Sequence, residues 1–215
     1  MREEFEKLAA AGKIEGRHID PLVQLTTSGF CMHRSWGFGR IKTVDTVFAR
    51  FTIDFPSKPG HAMDLSFAAE SLKPIPKEHI LARKASDLEG LRQLAATNHL
   101  ELVKLVLNSY GGKATADQIQ QVLVPDIISD DWKKWWEAAK RELKKDGHFL
   151  VPLKKSEPIV YQADEVSLQE RLLREFRAAR GLKARIAVIG EILKSAHDLS
   201  DRKAAAEEIV AALNA

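Results

Sequence analysis

The sequence predicts a mixed α+β protein in which a small β-barrel is followed by a mainly helical region and by C-terminal helices. Two changes in the spacing of apolar residues carry this prediction. Between Phe30 and Ile75 apolar residues recur at every second position, as in strands that are buried on one face. After Pro76 the period lengthens to that of helices, and only a short hairpin pattern at 148–161 interrupts it.

These changes divide the chain into five predicted segments, each with its own periodicity. They are an N-terminal helical lead at 1–27, a barrel at 28–76, a helical connector at 77–97, a three-helix region with a β-hairpin at 98–162, and a C-terminal helical segment at 163–215.

Composition favours a globular protein that folds without disulfides. Of the 215 residues 45% are hydrophobic and 29% are charged, which leaves enough apolar surface for a core. The single cysteine, Cys31, lies in an apolar run and is expected to be a buried strand thiol. The N-terminus lacks the apolar core of a signal peptide, and no apolar run approaches the roughly 18 residues of a membrane span. We therefore expect a soluble, cytoplasmic protein with no membrane partner.

The sequence carries no recognisable catalytic or metal-binding motif. Its seven histidines are scattered without metal-ligand spacing, and one cysteine cannot supply a zinc pair. No nucleophile elbow and no phosphate-binding glycine loop occurs. We expect no enzymatic activity, no cofactor, no metal and no small-molecule substrate. An enzyme whose site lacks any known motif is the alternative.

The predicted barrel rests on several short strands within about 45 residues. In the run 47–55, alternation predicts that Val47, Ala49, Phe51, Ile53 and Phe55 share the inward face. The opposite face would then carry Phe48, Arg50, Thr52 and Asp54. A turn at 56–60 separates this run from the next strand. A sheet of such short strands must close or be covered to hide its edges, and we expect it to close.

The segment 33–41, His-Arg-Ser-Trp-Gly-Phe-Gly-Arg-Ile, suits a tight corner in such a barrel. Its two glycines permit positive φ and a close approach of backbone to neighbouring chain. The segment resembles a signature of Tudor-like, SH3-type barrels, including the RNA polymerase-interacting domain of CarD-like proteins and transcription-repair coupling factors. That resemblance covers roughly 28–76. The alternative is that His33, Trp36 and Phe38 simply fill a small core.

This resemblance implies that the barrel docks on RNA polymerase through the edge of its sheet. The exposed side chains of the barrel are then the candidate contacts. These polymerase-binding candidates are Arg34, Arg40, Phe48 and Arg50.

Helices predicted at 98–110, 115–123 and 130–145, followed by a hairpin at 148–161, have the order of a winged helix. In the third helix Trp132, Trp136, Ala139 and Leu143 form one stripe, which we expect to be buried. Basic residues on the remaining surface and in the hairpin could bind a DNA or RNA backbone. They are Lys133, Lys134, Lys140, Arg141, Lys144, Lys145, Lys154 and Lys155. A solvated basic face or a protein partner is the alternative.

The third helix and the Gly-His-Phe at 147–149 resemble the N-terminal extension of Gre-type bacterial transcription elongation factors. The resemblance covers most of 20–162 and implies a non-catalytic, polymerase-docking region of such a factor. Gre factors cleave transcripts with a long coiled-coil hairpin that has an acidic tip, and 163–215 shows no such hairpin. We therefore expect no transcript cleavage from this chain, which is either a fragment of a longer factor or a relative that keeps the docking modules.

A stand-alone nucleic-acid-binding module without polymerase contact is the other interpretation of the same pattern.

A row of four arginines also has more than one interpretation. Arg171, Arg174, Arg177 and Arg180 make a slanted stripe on a predicted helix, with a solvated face as the simplest explanation.

Overall fold

The computed structural model describes residues 1–129, 131–152, 154 and 156–214. The chain divides into two compact units, Met1–Leu88 and Glu89–Ala215. Both units combine helices with an antiparallel sheet, so the predicted α+β class is confirmed. The five segments predicted from the sequence are finer than this division, and their boundaries stay a prediction.

The first unit begins with two helices, continues through four strands and ends in a helix–strand–helix segment. Its helices are α1 (Arg2–Ala10), α2 (Ile19–Ser28), α3 (Leu65–Ser71) and α4 (Ile80–Ser86). Its strands are β1 (Phe30–His33), β2 (Gly37–Asp45), β3 (Arg50–Phe55), β4 (Lys58–Asp64) and β5 (Leu72–Pro74).

The five strands form one antiparallel sheet in the order β4-β3-β2-β1-β5. Among the described strands β4 and β5 are the two edges and do not pair, so the predicted closed barrel is not confirmed. Helices explain how an open sheet hides its inner face. Phe5 of α1 and Leu22 of α2 share one buried cluster with Phe51 and Ile53 of β3. The helices thus cover apolar surface that closure would otherwise bury.

Strand β3 follows the predicted alternation, because Phe51, Ile53 and Phe55 are all at most 2% exposed. Val47 departs from it and is 71% exposed. It lies in the turn before β3, where the period of two no longer applies. The prediction that Val47 shares the inward face was therefore wrong.

The two glycines of the 33–41 segment have different roles. Gly37 has φ +72°, a conformation that side chains with a Cβ rarely adopt. Gly39 has ordinary φ but faces the ring of Phe55, and a Cβ at this position would lie only 2.5 Å from the ring atom Cε1. One glycine is required for the turn and the other for the packing between β2 and β3.

The second unit is mainly helical. Its helices are α5 (Leu88–Thr97, which begins at the boundary), α6 (His99–Ser109), α7 (Ala116–Leu123), α8 (Trp132–Lys145), α9 (Leu168–Ala178), α10 (Leu182–Lys194) and α11 (Arg202–Asn214). Its strands are β6 (Lys113–Ala114), β7 (Phe149–Leu150) and β8 (Ile159–Tyr161).

The strands of the second unit form a small antiparallel sheet in the order β6-β8-β7. Strands β7 and β8 are a hairpin, as predicted, and β6 pairs with β8 through Lys113 and Ala114. Strand β6 lies between α6 and α7 in the sequence. The sheet therefore pairs a strand from within the helical region with the hairpin that follows α8. Thr115 begins α7 with a capping box to Gln118, which satisfies backbone groups at the helix start.

Three short helices, α9 to α11, follow the hairpin and share a small core around Phe176, Val188 and Ile192. Ser167 begins α9 by accepting a hydrogen bond from the Glu170 amide. Within the described part of the chain no helix is long and apolar enough to cross a membrane.

Candidate functional site

The turn between β2 and β3 presents an aromatic side chain to solvent. The Asp45 carboxylate accepts hydrogen bonds from the backbone amides of Val47 and Phe48, which fixes the turn. Phe48 is 69% exposed, and the Arg50 guanidinium lies 4.9 Å from the centre of its ring. Two of the four polymerase-binding candidates therefore form one small apolar and cationic tip.

The other two polymerase-binding candidates lie away from this tip. Arg34 is exposed in the turn between β1 and β2, at the opposite end of β2. Arg40 is exposed within β2, where it pairs with Phe30 on one side and Asp54 on the other. The four side chains therefore do not make a single patch; only Phe48 and Arg50 are brought together.

His33 and Trp36 have a structural role in the first unit. The buried His33 ring accepts hydrogen bonds at Nδ1 from the amides of Ser35 and Trp36. Its ring stacks on Trp36 at 4.1 Å between centroids. This arrangement closes the turn between β1 and β2 and agrees with the interpretation of these rings as packing residues.

Helix α8 places its basic residues in two rows. Asp131 caps the helix by accepting from the Lys134 amide. At about 100° per residue, positions 133, 140 and 144 fall on one flank and positions 134, 141 and 145 on the outer side. We name Lys133, Lys140 and Lys144 the cleft row, and Lys134, Arg141 and Lys145 the outer row. Among the described residues only Lys140 of these six forms an ion pair, with Glu137 at 2.9 Å.

The tryptophan stripe is less buried than the helical period predicts. Ala139 and Leu143 are fully buried, whereas Trp132 and Trp136 are only half-buried. Trp132 stacks on Trp136 at 5.3 Å and on Trp135 at 5.6 Å. Trp135 in turn donates a 2.8 Å hydrogen bond from Nε1 to the Ala95 carbonyl. The apolar face of α8 thus combines a buried half with an aromatic half that solvent still reaches.

A cleft of about 360 Å³ opens beside these rings. Helix α8 supplies one wall with Trp132 and Trp136, α7 supplies Ala116, and the hairpin segment supplies Pro152 and Ile159. The cleft row lines the same cavity, together with Lys154 from the hairpin. Lys154 is exposed and lies 3.6 Å from Glu157. The predicted contact Lys155 lies outside the described residues.

Metal-ligating side chains do not cluster among the described residues. No group of three or more His, Cys, Asp or Glu side chains in this part of the chain could hold a metal ion. The Cys31 thiol is fully buried, as predicted, and burial raises its pKa to about 12. Such a thiol stays protonated at neutral pH and is a poor nucleophile.

Comparison with known proteins places α8 and the hairpin inside a recognised domain. Residues 81–166 match the GRAD helix-turn-helix domain. The match begins within α4 and extends past β8, so it includes both rows of α8 and the cleft. It leaves the five-stranded sheet outside, and the predicted likeness of that sheet to CarD or Tudor barrels is not confirmed.

Homology to proteins of the GreA group extends further along the chain. A transcription elongation factor GreA of Chlamydia pneumoniae is 29% identical over an alignment 203 positions long, and that alignment covers 89% of this chain. A putative GreA-associated domains protein of Treponema pallidum is 28% identical over an alignment 183 positions long, which covers 83% of this chain. This chain spans about 28% of the length of the first relative and 27% of the second. No solved structure matches the chain.

Proposed function

We propose that this chain is a non-catalytic, RNA polymerase-docking region of a Gre-like transcription elongation factor, and that α8 also contacts nucleic acid. The observation that carries the proposal is the basic surface of α8 within the stretch that matches a helix-turn-helix domain. The homology to GreA-named proteins over most of the chain supports the link to transcription.

The arrangement of the second unit supports a winged-helix interpretation. Helices α6, α7 and α8 are followed by the β7–β8 hairpin, and β6 joins the hairpin to make a three-stranded sheet. In a helix-turn-helix the helix that follows the turn is the one that meets nucleic acid. That helix is α8, which carries six basic side chains in fourteen residues.

Electrostatics favour a nucleic-acid backbone over a neutral partner for α8. Five of its six cationic side chains form no ion pair among the described residues, so their charge is available to phosphates. Each phosphate that they neutralise releases counterions, so the affinity should fall steeply as the salt concentration rises.

The proposed polymerase contact of the first unit is the tip made by Phe48 and Arg50. Aromatic side chains, phenylalanine among them, and arginine are both enriched in the cores of protein interfaces. Asp45 holds the turn that presents it, which reduces the conformational entropy lost on binding. Arg34 and Arg40 would widen the contact along β2. The proposal includes no enzymatic step and places the protein in the cytoplasm with polymerase.

The direct test is capture of purified bacterial RNA polymerase by the full chain. Reversal of charge in Arg40→Glu/Arg50→Glu, or loss of the ring in Phe48→Ala, should abolish capture. A matched control, Lys7→Glu/Lys77→Glu, reverses two exposed charges of the same unit and should capture polymerase normally. If Arg40→Glu/Arg50→Glu and Phe48→Ala both still capture polymerase, this tip is not the contact. Absence of capture by the unmodified chain at low salt would overturn the docking proposal.

A nucleic-acid-binding module without polymerase contact is the second candidate. The domain match at 81–166 favours it, because that match includes α8 and leaves the five-stranded sheet outside. This candidate predicts salt-dependent binding to DNA or RNA that Lys140→Glu/Lys144→Glu or Arg141→Glu/Lys145→Glu weakens and Arg40→Glu/Arg50→Glu does not. Binding of nucleic acid without capture of polymerase would select it.

A further inference from the structure

The cleft beside α8 combines aromatic faces with positive charge. Trp132 and Trp136 line it as a stacked pair whose rings lie 13° from parallel. Four lysines (133, 140, 144 and 154) line the same cavity, as do Glu137 and Glu157, so positive charge is in excess there. The cavity volume of about 360 Å³ falls at the lower end of the range for small-molecule ligand sites, roughly 300–1,000 Å³.

A hydrogen bond and ring contacts hold the tryptophan side chains of α8 in place. Trp135 is fixed by its hydrogen bond to the Ala95 carbonyl and by an edge contact with His99. Trp132 stacks on Trp135, and Trp136 stacks on Trp132. The half-buried rings are thus a supported platform, and little side-chain entropy would be lost if a further ring packed against it.

From these observations we infer that the cleft binds single-stranded nucleic acid, with a base stacked on Trp136, whose ring Trp132 supports, and the backbone phosphates against the cleft row and Lys154. This inference rests on the proposed contact of α8 with nucleic acid and assigns its substrate class. Stacking on an aromatic platform beside a basic groove is how proteins bind single strands with little sequence preference.

The shape of the cleft admits the bases of a single strand and excludes those of a duplex. Bases of a duplex are stacked and paired, so they cannot enter a cleft between α8 and the hairpin. A duplex would instead lie across the outer row, Lys134, Arg141 and Lys145, which does not line the cavity. The two rows therefore give a charge-matched comparison within one helix.

The test is a titration of the full chain with fluorescent oligonucleotides of about 15 nucleotides, as oligo-dT, oligo-rU and a duplex of equal length. Single strands should bind tighter than the duplex and quench the tryptophan fluorescence of the unmodified chain. Lys140→Glu/Lys144→Glu should weaken single-strand binding strongly, while Arg141→Glu/Lys145→Glu should change it little. Comparison of oligo-rU with oligo-dT then identifies which kind of strand the cleft prefers.

Aromatic variants test the stacking directly. Trp136→Leu should weaken single-strand binding about 5- to 160-fold, the loss expected for one stacked base. Trp136→Phe keeps a flat ring and should recover most of the affinity. Circular dichroism of both variants establishes that they are folded, and the quenching of the unmodified chain provides a readout that needs no substitution.

Two results would overturn the inference, and they are distinguishable. Preference for the duplex, with loss of binding in the outer-row variant alone, would reject the cleft and leave nucleic-acid contact by α8 in place. Absence of binding to every oligonucleotide at low salt would reject the nucleic-acid contact itself, with the polymerase contact still open to its own test.

Discussion

The indole Nε1 of Trp135 donates a 2.8 Å hydrogen bond to the backbone carbonyl of Ala95. That carbonyl belongs to the last turn of α5, where backbone oxygens have no partner within the helix. The bond therefore gives this carbonyl a donor and fixes α8 against α5. It also holds the ring on which Trp132 stacks.

Replacement of Trp135 by phenylalanine should destabilise the second unit by about 1–2 kcal/mol, because the Ala95 carbonyl loses its donor. The free energy of unfolding would be measured by urea denaturation. Trp136→Phe is the control, since it removes an indole from the same helix and leaves this hydrogen bond in place. Equal stability of Trp135→Phe and the unmodified chain would mean that solvent replaces the indole at no cost.

Arg171 makes a comparable contact at the other end of α8. Its guanidinium donates to the carbonyls of Lys144, Lys145 and Asp146, at 2.6, 3.0 and 2.9 Å. A cation at a helix C-terminus can hydrogen-bond the carbonyls that have no partner within the helix. It also interacts favourably with the helix dipole. The contact fixes the start of α9 against the end of α8.

Arg171→Ala should therefore cost about 1.5–3 kcal/mol in the free energy of unfolding, the range for hydrogen bonds to a charged group. Arg174→Ala is the matched control on the same helix, because Arg174 forms a surface ion pair with Glu170. Loss of such a pair usually lowers the free energy of unfolding by roughly 0–1 kcal/mol. Similar losses for the two variants, measured by thermal or urea denaturation, would contradict a special role for Arg171.

Local patterns in the sequence predicted elements well and long-range partners poorly. The alternation of β3 depends on neighbours within a few residues, and it is present. Arg171 looked like one member of a solvated stripe, because its partners lie 25 to 27 residues earlier in the chain. No spacing rule within α9 could have identified them.

The same limit applies to the tryptophans and to the barrel. Helical period places Trp132 and Trp136 on the apolar face, but burial depends on what the neighbouring elements supply. Helix α7 presents Ala116 and Gln120 there, which leave the rings half-buried. Alternation likewise predicts an apolar sheet face, yet whether the sheet closes or is covered depends on helices α1 and α2.

The close approach at Gly39 yields a stability prediction for the first unit. Gly39→Ala would place a Cβ 2.5 Å from the Phe55 ring and 3.0 Å from the Ile53 side chain. Relief of this overlap requires the β2–β3 packing to shift, at a cost of about 1–3 kcal/mol. Circular dichroism on heating should show a lower melting temperature.

Gly16→Ala is the control for that substitution. A Cβ at Gly16 meets nothing within 4 Å, and the backbone there does not need positive φ. The melting temperature of this variant should stay the same or rise slightly, because alanine restricts the unfolded chain. Equal melting temperatures for Gly39→Ala and Gly16→Ala would show that Phe55 moves aside freely.

The buried thiol of Cys31 gives a prediction for alkaline pH. Burial raises the pKa of Cys31 from the ordinary value of 9.0 to about 12, so the folded state favours the protonated thiol. The resulting stabilisation is fully present below pH 9 and is lost as the pH rises toward 12, because only the unfolded chain ionises readily in that window. At pH 9 the folded protein should react with iodoacetamide several-hundred-fold more slowly, as an order of magnitude, than the urea-unfolded chain. Mass spectrometry of the alkylated protein gives both rates, and equal rates would mean that β1 opens often enough to expose the thiol.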